Sequence, residues 1–145
     1  MDNREESLRL LKEAKEDLER ARRYSELEDW VTVVHYAQLA IEKAAKSVIS
    51  CFEAYEWTHD PSKQLERLVT RGLLGREFLG MAECAREAAP WHGRSTYGGL
   101  MNGVWRSPSE LCTKEIASRL LKKADESVGK AEEFLGRFWN EESSR

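Results

Sequence analysis

From Arg4 to Arg23 the apolar positions Leu8, Leu11, Ala14, Leu18 and Ala21 recur at steps of three and four, with Glu, Lys and Arg between them. That period puts them on one stripe of an amphipathic helix. A polar break at Ser25–Asp29 follows, with Asp29 placed to cap the next helix. From Trp30 to Tyr55 a second stripe runs through Val34, Ala37, Ile41, Ala44, Val48 and Phe52, widened by Val31, Ala40, Ala45 and Ile49. A helix apolar over so much of its circumference sits centrally or carries an interface. A third helix is expected from a cap at Asp60, with Pro61 in its first position, Leu65, Leu68 and Val69 inward, and Gly72 at its end. A fourth runs from Arg76 to Ala89, with Phe78, Met81, Ala82 and Ala85 inward and Pro90 as its stop.

Residues 90–107 show no period and read as a long, glycine-rich loop, a kind of segment that often carries function. Ser107–Glu110 then has the form of a capping box with Pro108 in the first position, and Thr113 is placed to cap the last helix. Ile116, Leu120, Ala124, Val128, Ala131, Leu135 and Phe138 make its stripe, and the tail from 139 to 145 is polar and expected to fray. No β-alternation appears. The pattern predicts an all-α, up-down bundle of about five helices in a single domain spanning 1–145.

Composition narrows the function. Hydrophobic residues make up 41% and charged residues 34% of 145, with a net charge of −3. That balance excludes a bulk nucleic-acid binder, which needs a broadly basic surface to neutralise phosphates, and no DNA partner is expected, although a local basic patch remains open. Cys51, Cys84 and Cys112 match no zinc or redox spacing and suit a reducing interior, with Cys51 in the core. The chain is charged from its first residues and holds no apolar run of the ~18 residues a membrane span needs, so a cytoplasmic location is expected. No metal-ligand spacing or cofactor motif is recognised, and neither a metal nor a cofactor is expected.

The chemistry-bearing segment is "AREAAPWHGRSTYGG", residues 85–99, where Arg86, His92, Arg94 and Tyr97 crowd around the break at Pro90. Elsewhere, His35 reads as a packed or interface side chain and His59, in "THDP", as a maker of turn or cap bonds. Glu42 and Lys46, four apart, should pair on a solvated helix face. Trp91 and Trp105 could stack bases or pin the loop to the bundle. Gly98-Gly99 lacks the strand and the Lys-Ser/Thr of a phosphate loop.

Four segments in order carry a resemblance: "HYAQLAIEKAAKSVI" (35–49), "THDPSKQLERL" (58–68), "RSTYGG" (94–99) and "SPSELCTKEIASRLLKKADESVGKAEEFL" (107–135). Together they resemble prokaryotic HEPN domains over residues 7 to 138. The resemblance implies a four-to-five-helix bundle that forms a homodimer, often beside a minimal nucleotidyltransferase (MNT) in a toxin–antitoxin-like pair. Some HEPN domains are metal-independent ribonucleases, with an Arg, a polar neighbour, and a His a few positions on. Arg86, Glu87 and His92 fit that pattern.

In such a site a His serves as base toward a ribose 2′-hydroxyl and an Arg stabilises charge on the phosphorus. Arg94, Tyr97, Trp91 and Lys46 are then the candidates for holding nucleotide or RNA. The bland reading makes Arg86 a helix-end cation and His92 a residue bonded to backbone. Three functions stay open: a nucleotide- and partner-binding module, a metal-independent endoribonuclease toxin using Arg86 and His92 in a composite cleft formed by two copies of the chain, and a purely structural bundle.

Overall fold

The computed structural model describes residues 2–143, with side chains through Asn140. Helix α1 (Asn3–Glu26) starts at Asp2, whose carboxylate accepts the Glu5 N–H at 2.8 Å. Helix α2 (Trp30–Ser50) starts at Asp29, which accepts the Thr32 N–H at 3.2 Å as its position predicts. Residues 27–29 are too short a link for anything but antiparallel neighbours, and Glu28 turns the chain with φ of 59°. The long helix α7 (Lys114–Ser143) packs against both. Its start is capped by Thr113, whose Oγ1 accepts the Ile116 N–H at 3.2 Å.

Helix α2 is the centre of the bundle. Val33, Val34, Ala37, Ala40, Ile41, Ala44, Ala45, Val48 and Ile49 are all fully buried. Leu11, Ala14, Leu18 and Ala21 close over it from α1, and Ala117, Leu120, Ala124, Val128, Ala131 and Leu135 from α7. Apart from Val33 and Ala117, these are residues of the three predicted stripes, so hydrophobic periodicity accounts for most of the core, although Leu8 of the α1 stripe stays exposed. Helices α3 (Ser62–Thr70) and α4 (Leu79–Ala88, entered by a 3₁₀ turn at Arg76–Phe78) pack on each other and cover one end. Gly72, at φ 77°, closes α3: its N–H donates to Val69 O and that of Leu73 to Leu68 O, the two bonds of a Schellman cap.

The structure departs from the expectations at four places. Helix α2 stops at Ser50, not Tyr55, and residues 51–61 form a turn and loop that reach α3. Helix α3 begins at Ser62, with Pro61 one position outside it, because Asp60 Oδ1 accepts the Ser62 N–H at 3.0 Å and turns the chain there. Residues 90–107 are not a structureless loop. Pro90 keeps helical angles (φ −60°, ψ −23°), and its missing N–H is harmless at a helix start, so α5 (Trp91–Tyr97) follows α4 almost directly.

After Gly98 come strands β1 (Gly99–Met101) and β2 (Val104–Arg106), pairing Leu100 with Trp105 across a two-residue turn. Asn102 and Gly103, at φ 53° and 78°, give the turn the type I′ twist that suits a hairpin. The capping box at Ser107–Glu110 is present and opens the one-turn helix α6 (Pro108–Leu111). Finally, the expected frayed tail is helical through Ser143, and Trp139 docks, its Nε1–H donating to Ser7 Oγ at 3.1 Å. Residues 144–145 of that tail lie outside the described residues.

Candidate functional site

Three polar side chains climb one face of α2 at four-residue steps: Gln38, Glu42 and Lys46. All three are buried, which overturns the expectation of a solvated Glu42–Lys46 face. Buried polar groups must be partnered, and these are. Glu42 Oε2 accepts from Lys46 Nζ at 3.0 Å, and Oε1 accepts from Gln38 Nε2 at 3.0 Å. Two histidines complete the network from outside α2. His92, in the first turn of α5, places Nδ1 3.0 Å from Gln38 Oε1. His59, in the loop before α3, places Nδ1 3.1 Å from Glu42 Oε1. Their rings stack with centroids 3.7 Å apart and planes within 18°. His35, from the first turns of α2, lies 6.2 Å from the His92 ring and within 3.4 Å of Ser95 Oγ.

The network sets the proton positions. A carboxylate only accepts, so Gln38 must turn its NH₂ toward Glu42 and its oxygen toward His92. The amide oxygen also only accepts, so His92 carries its proton on Nδ1 and keeps a lone pair on Nε2. His59 donates its Nδ1–H to Glu42 by the same logic. Each imidazole therefore turns its Nδ1 edge to α2 and leaves Nε2 unengaged.

Electrostatics reinforce this. Burial first, then the positive field of His59, hold the His92 pKa below its usual 6.5, against the opposing pull of Glu42. Burial pushes the Glu42 carboxyl up, but hydrogen bonds from Gln38 and Lys46 and the charges of Lys46 and His59 outweigh it and leave it below 4.5. Glu42, His59 and His92 also bring one donor atom each within 4.8 Å of one another. That set is poorly suited to a metal ion, because the Lys46 ammonium already balances the carboxylate and would face the cation at close range.

Beside His59 the surface opens into a shallow cavity of about 350 Å³ lined by Lys46, Tyr55, Trp57, Thr58 and His59. Lys46 Nζ stands 4.8 Å over the Tyr55 ring, and Trp57 is 97% exposed. A larger groove of about 560 Å³ follows the outer face of α1 between Leu8 and Arg23, and no histidine borders it.

A family model described as the HEPN domain matches residues 7–134. The chain belongs to the HEPN family. No curated protein and no solved structure matches it. The bundle of this HEPN domain is accordingly all-α apart from its small hairpin, and among the described residues no helix is long and apolar enough to cross a membrane.

The residues singled out from the sequence fall in different places. His92 is in the network. Arg86 is directed elsewhere: its guanidinium pairs with Glu66 across the α3–α4 contact. Its neighbour Glu87 pairs with Arg119 and Lys123 of α7. Trp91 is only 7% exposed and belongs to the core, so it cannot serve as a stacking platform for a base. Arg94 lies over the Trp91 ring at 5.0 Å, and Tyr97 is 75% exposed at the end of α5. Lys46 is at the cavity but tied to Glu42.

His59, Gln38 and Glu42 are the site residues that sequence reasoning missed. The turn and cap bonds expected of His59 are made by its neighbours instead, Thr58 Oγ1 accepting the Asp60 N–H at 3.1 Å. The one available signal was three polar residues at four-residue steps on a helix apolar over much of its circumference. Cys51 is buried as expected, and burial pushes its thiol up to about 12.

Proposed function

We propose that this HEPN domain binds nucleotide or RNA along its histidine edge, as the homodimeric partner of an MNT nucleotidyltransferase in a toxin–antitoxin-like pair. The observation that supports it is the convergence of His35, His59 and His92 from three separate segments, with His59 bordering a cavity that Lys46, Tyr55 and Trp57 also line. Imidazole and ammonium groups suit phosphate, and exposed aromatic faces suit bases. The test is a titration of the purified protein with ATP and with a short single-stranded RNA, followed by Trp fluorescence and thermal stability. Binding raises the melting temperature as mass action requires, and His59→Ala with His92→Ala removes the shift. No shift with either ligand refutes the reading. In light scattering the dimer appears at twice the 16.7 kDa of one chain.

The second reading is a metal-independent endoribonuclease. It is favoured by the His92 tautomer, whose Nε2 lone pair is the form a general base needs. In that reading Arg86 exchanges Glu66 for a phosphate when RNA binds.

A further inference from the structure

RNA cleavage by way of the 2′-hydroxyl needs two proton transfers, one from the attacking oxygen and one to the departing 5′-oxygen. A single base answers only the first. Resting on the endoribonuclease reading, we propose that His59 is the second catalytic imidazole: His92 takes the 2′-hydroxyl proton and His59 protonates the 5′-oxygen.

Geometry carries this. The two rings are stacked at 3.7 Å, a spacing on the scale of one phosphate group, so both can address the oxygens of a single phosphodiester. Each ring is aimed by an acceptor on α2 and presents Nε2 away from it. The acceptors differ, which divides the roles. His92 is aimed by an uncharged amide oxygen and is partly covered, an environment that favours the neutral ring of a base. His59 is exposed, and its Nδ1 is held 3.1 Å from the Glu42 carboxylate, so an anion rather than an amide backs the ring that faces the departing oxygen. The other charged or titratable groups near the pair are Lys46 and His35, both on α2, and Lys46 is the nearest cation for the non-bridging oxygens.

The step balances without a co-reactant. The 2′-oxygen loses its proton to His92 Nε2 and bonds to phosphorus. The bond from phosphorus to the 5′-oxygen breaks with its electron pair going to oxygen, which takes the proton from His59 Nε2. The products are a 2′,3′-cyclic phosphate and a 5′-hydroxyl, and solvent proton exchange resets both rings. Gln38 and Glu42 are positioning residues.

The experiment follows cleavage of a single-stranded RNA oligonucleotide in EDTA, with the ends identified by mass. A second substrate is uridine 3′-(4-nitrophenyl phosphate), whose leaving group departs without protonation. His59→Ala and His92→Ala each lower kcat on RNA by about 100-fold or more. On the aryl ester His59→Ala regains near wild-type rate, whereas His92→Ala does not, a split that a merely structural role for His59 cannot produce. His59→Gln, with circular dichroism of every variant, guards against misfolding.

If the wild-type protein cuts neither substrate, the endoribonuclease reading and the proposal both fall. Cleavage with His59→Ala as active as wild type on RNA overturns the proposal alone. So does a His59 defect that persists on the aryl ester, or activity that EDTA abolishes.

Discussion

Replacing Glu42 with Gln keeps the side-chain shape and removes one charge. It leaves the Lys46 ammonium, on a side chain only 9% exposed, without its counter-ion. Breaking a buried ion pair from one side typically costs about 3–5 kcal/mol, because the remaining charge stays desolvated. Two features pull the figure to the lower end: the Tyr55 ring 4.8 Å from Nζ offers a cation–π contact, and the cavity beside Lys46 admits water. The expected loss is about 3 kcal/mol, or roughly 9 °C in melting temperature for a chain this long. Urea unfolding followed by far-UV circular dichroism measures it. Adding Lys46→Met to Glu42→Gln should recover most of the loss, since neither charge is then left alone. A loss under about 1 kcal/mol, or a double variant no more stable than Glu42→Gln, would refute the view of a buried, mutually dependent pair.

Two further perturbations probe other parts of the fold. The folded pKa values of His92 and Glu42 lie below their unfolded values of 6.5 and 4.5, so the unfolded chain takes up protons first on acidification. Stability should therefore decline as pH falls below 6.5 and again below 4.5; urea midpoints across that range check it, and His92→Gln should flatten the upper part. Gly98, at φ 87° and ψ −162°, occupies a glycine-only region, and a Cβ there would stand 2.2 Å from the Arg106 carbonyl oxygen. Gly98→Ala should cost about 2 kcal/mol or more and detach the hairpin, visible as lost protection of the β1–β2 amides by NMR exchange.

The helices that form the core were legible because burial repeats along them: every α1, α2 and α7 stripe residue is a period away from the next. Helix α5 was not, since seven residues holding Gly93 and following Pro90 leave no room for a period to show. The hairpin was signalled by Asn102-Gly103 between Met101 and Val104, but three-residue strands are too short to display alternation. The Glu42–Lys46 pair was read correctly and its surroundings were not. Which face of α2 lies under α5 and the His59 loop depends on how distant segments fold back, and spacing along one helix carries no trace of that. For the same reason His92 could be found beside Arg86 in sequence, while their partners, Gln38 on α2 and Glu66 on α3, could not.

The acceptors that aim both imidazoles belong to the helix at the middle of the bundle. Segments so placed exchange their amide hydrogens only through opening of the whole domain, whereas loops open alone. The acceptor side of the histidine edge is thus preorganised: the orientation that Gln38 and Glu42 impose is settled by folding, and no rearrangement of α2 is needed to set it.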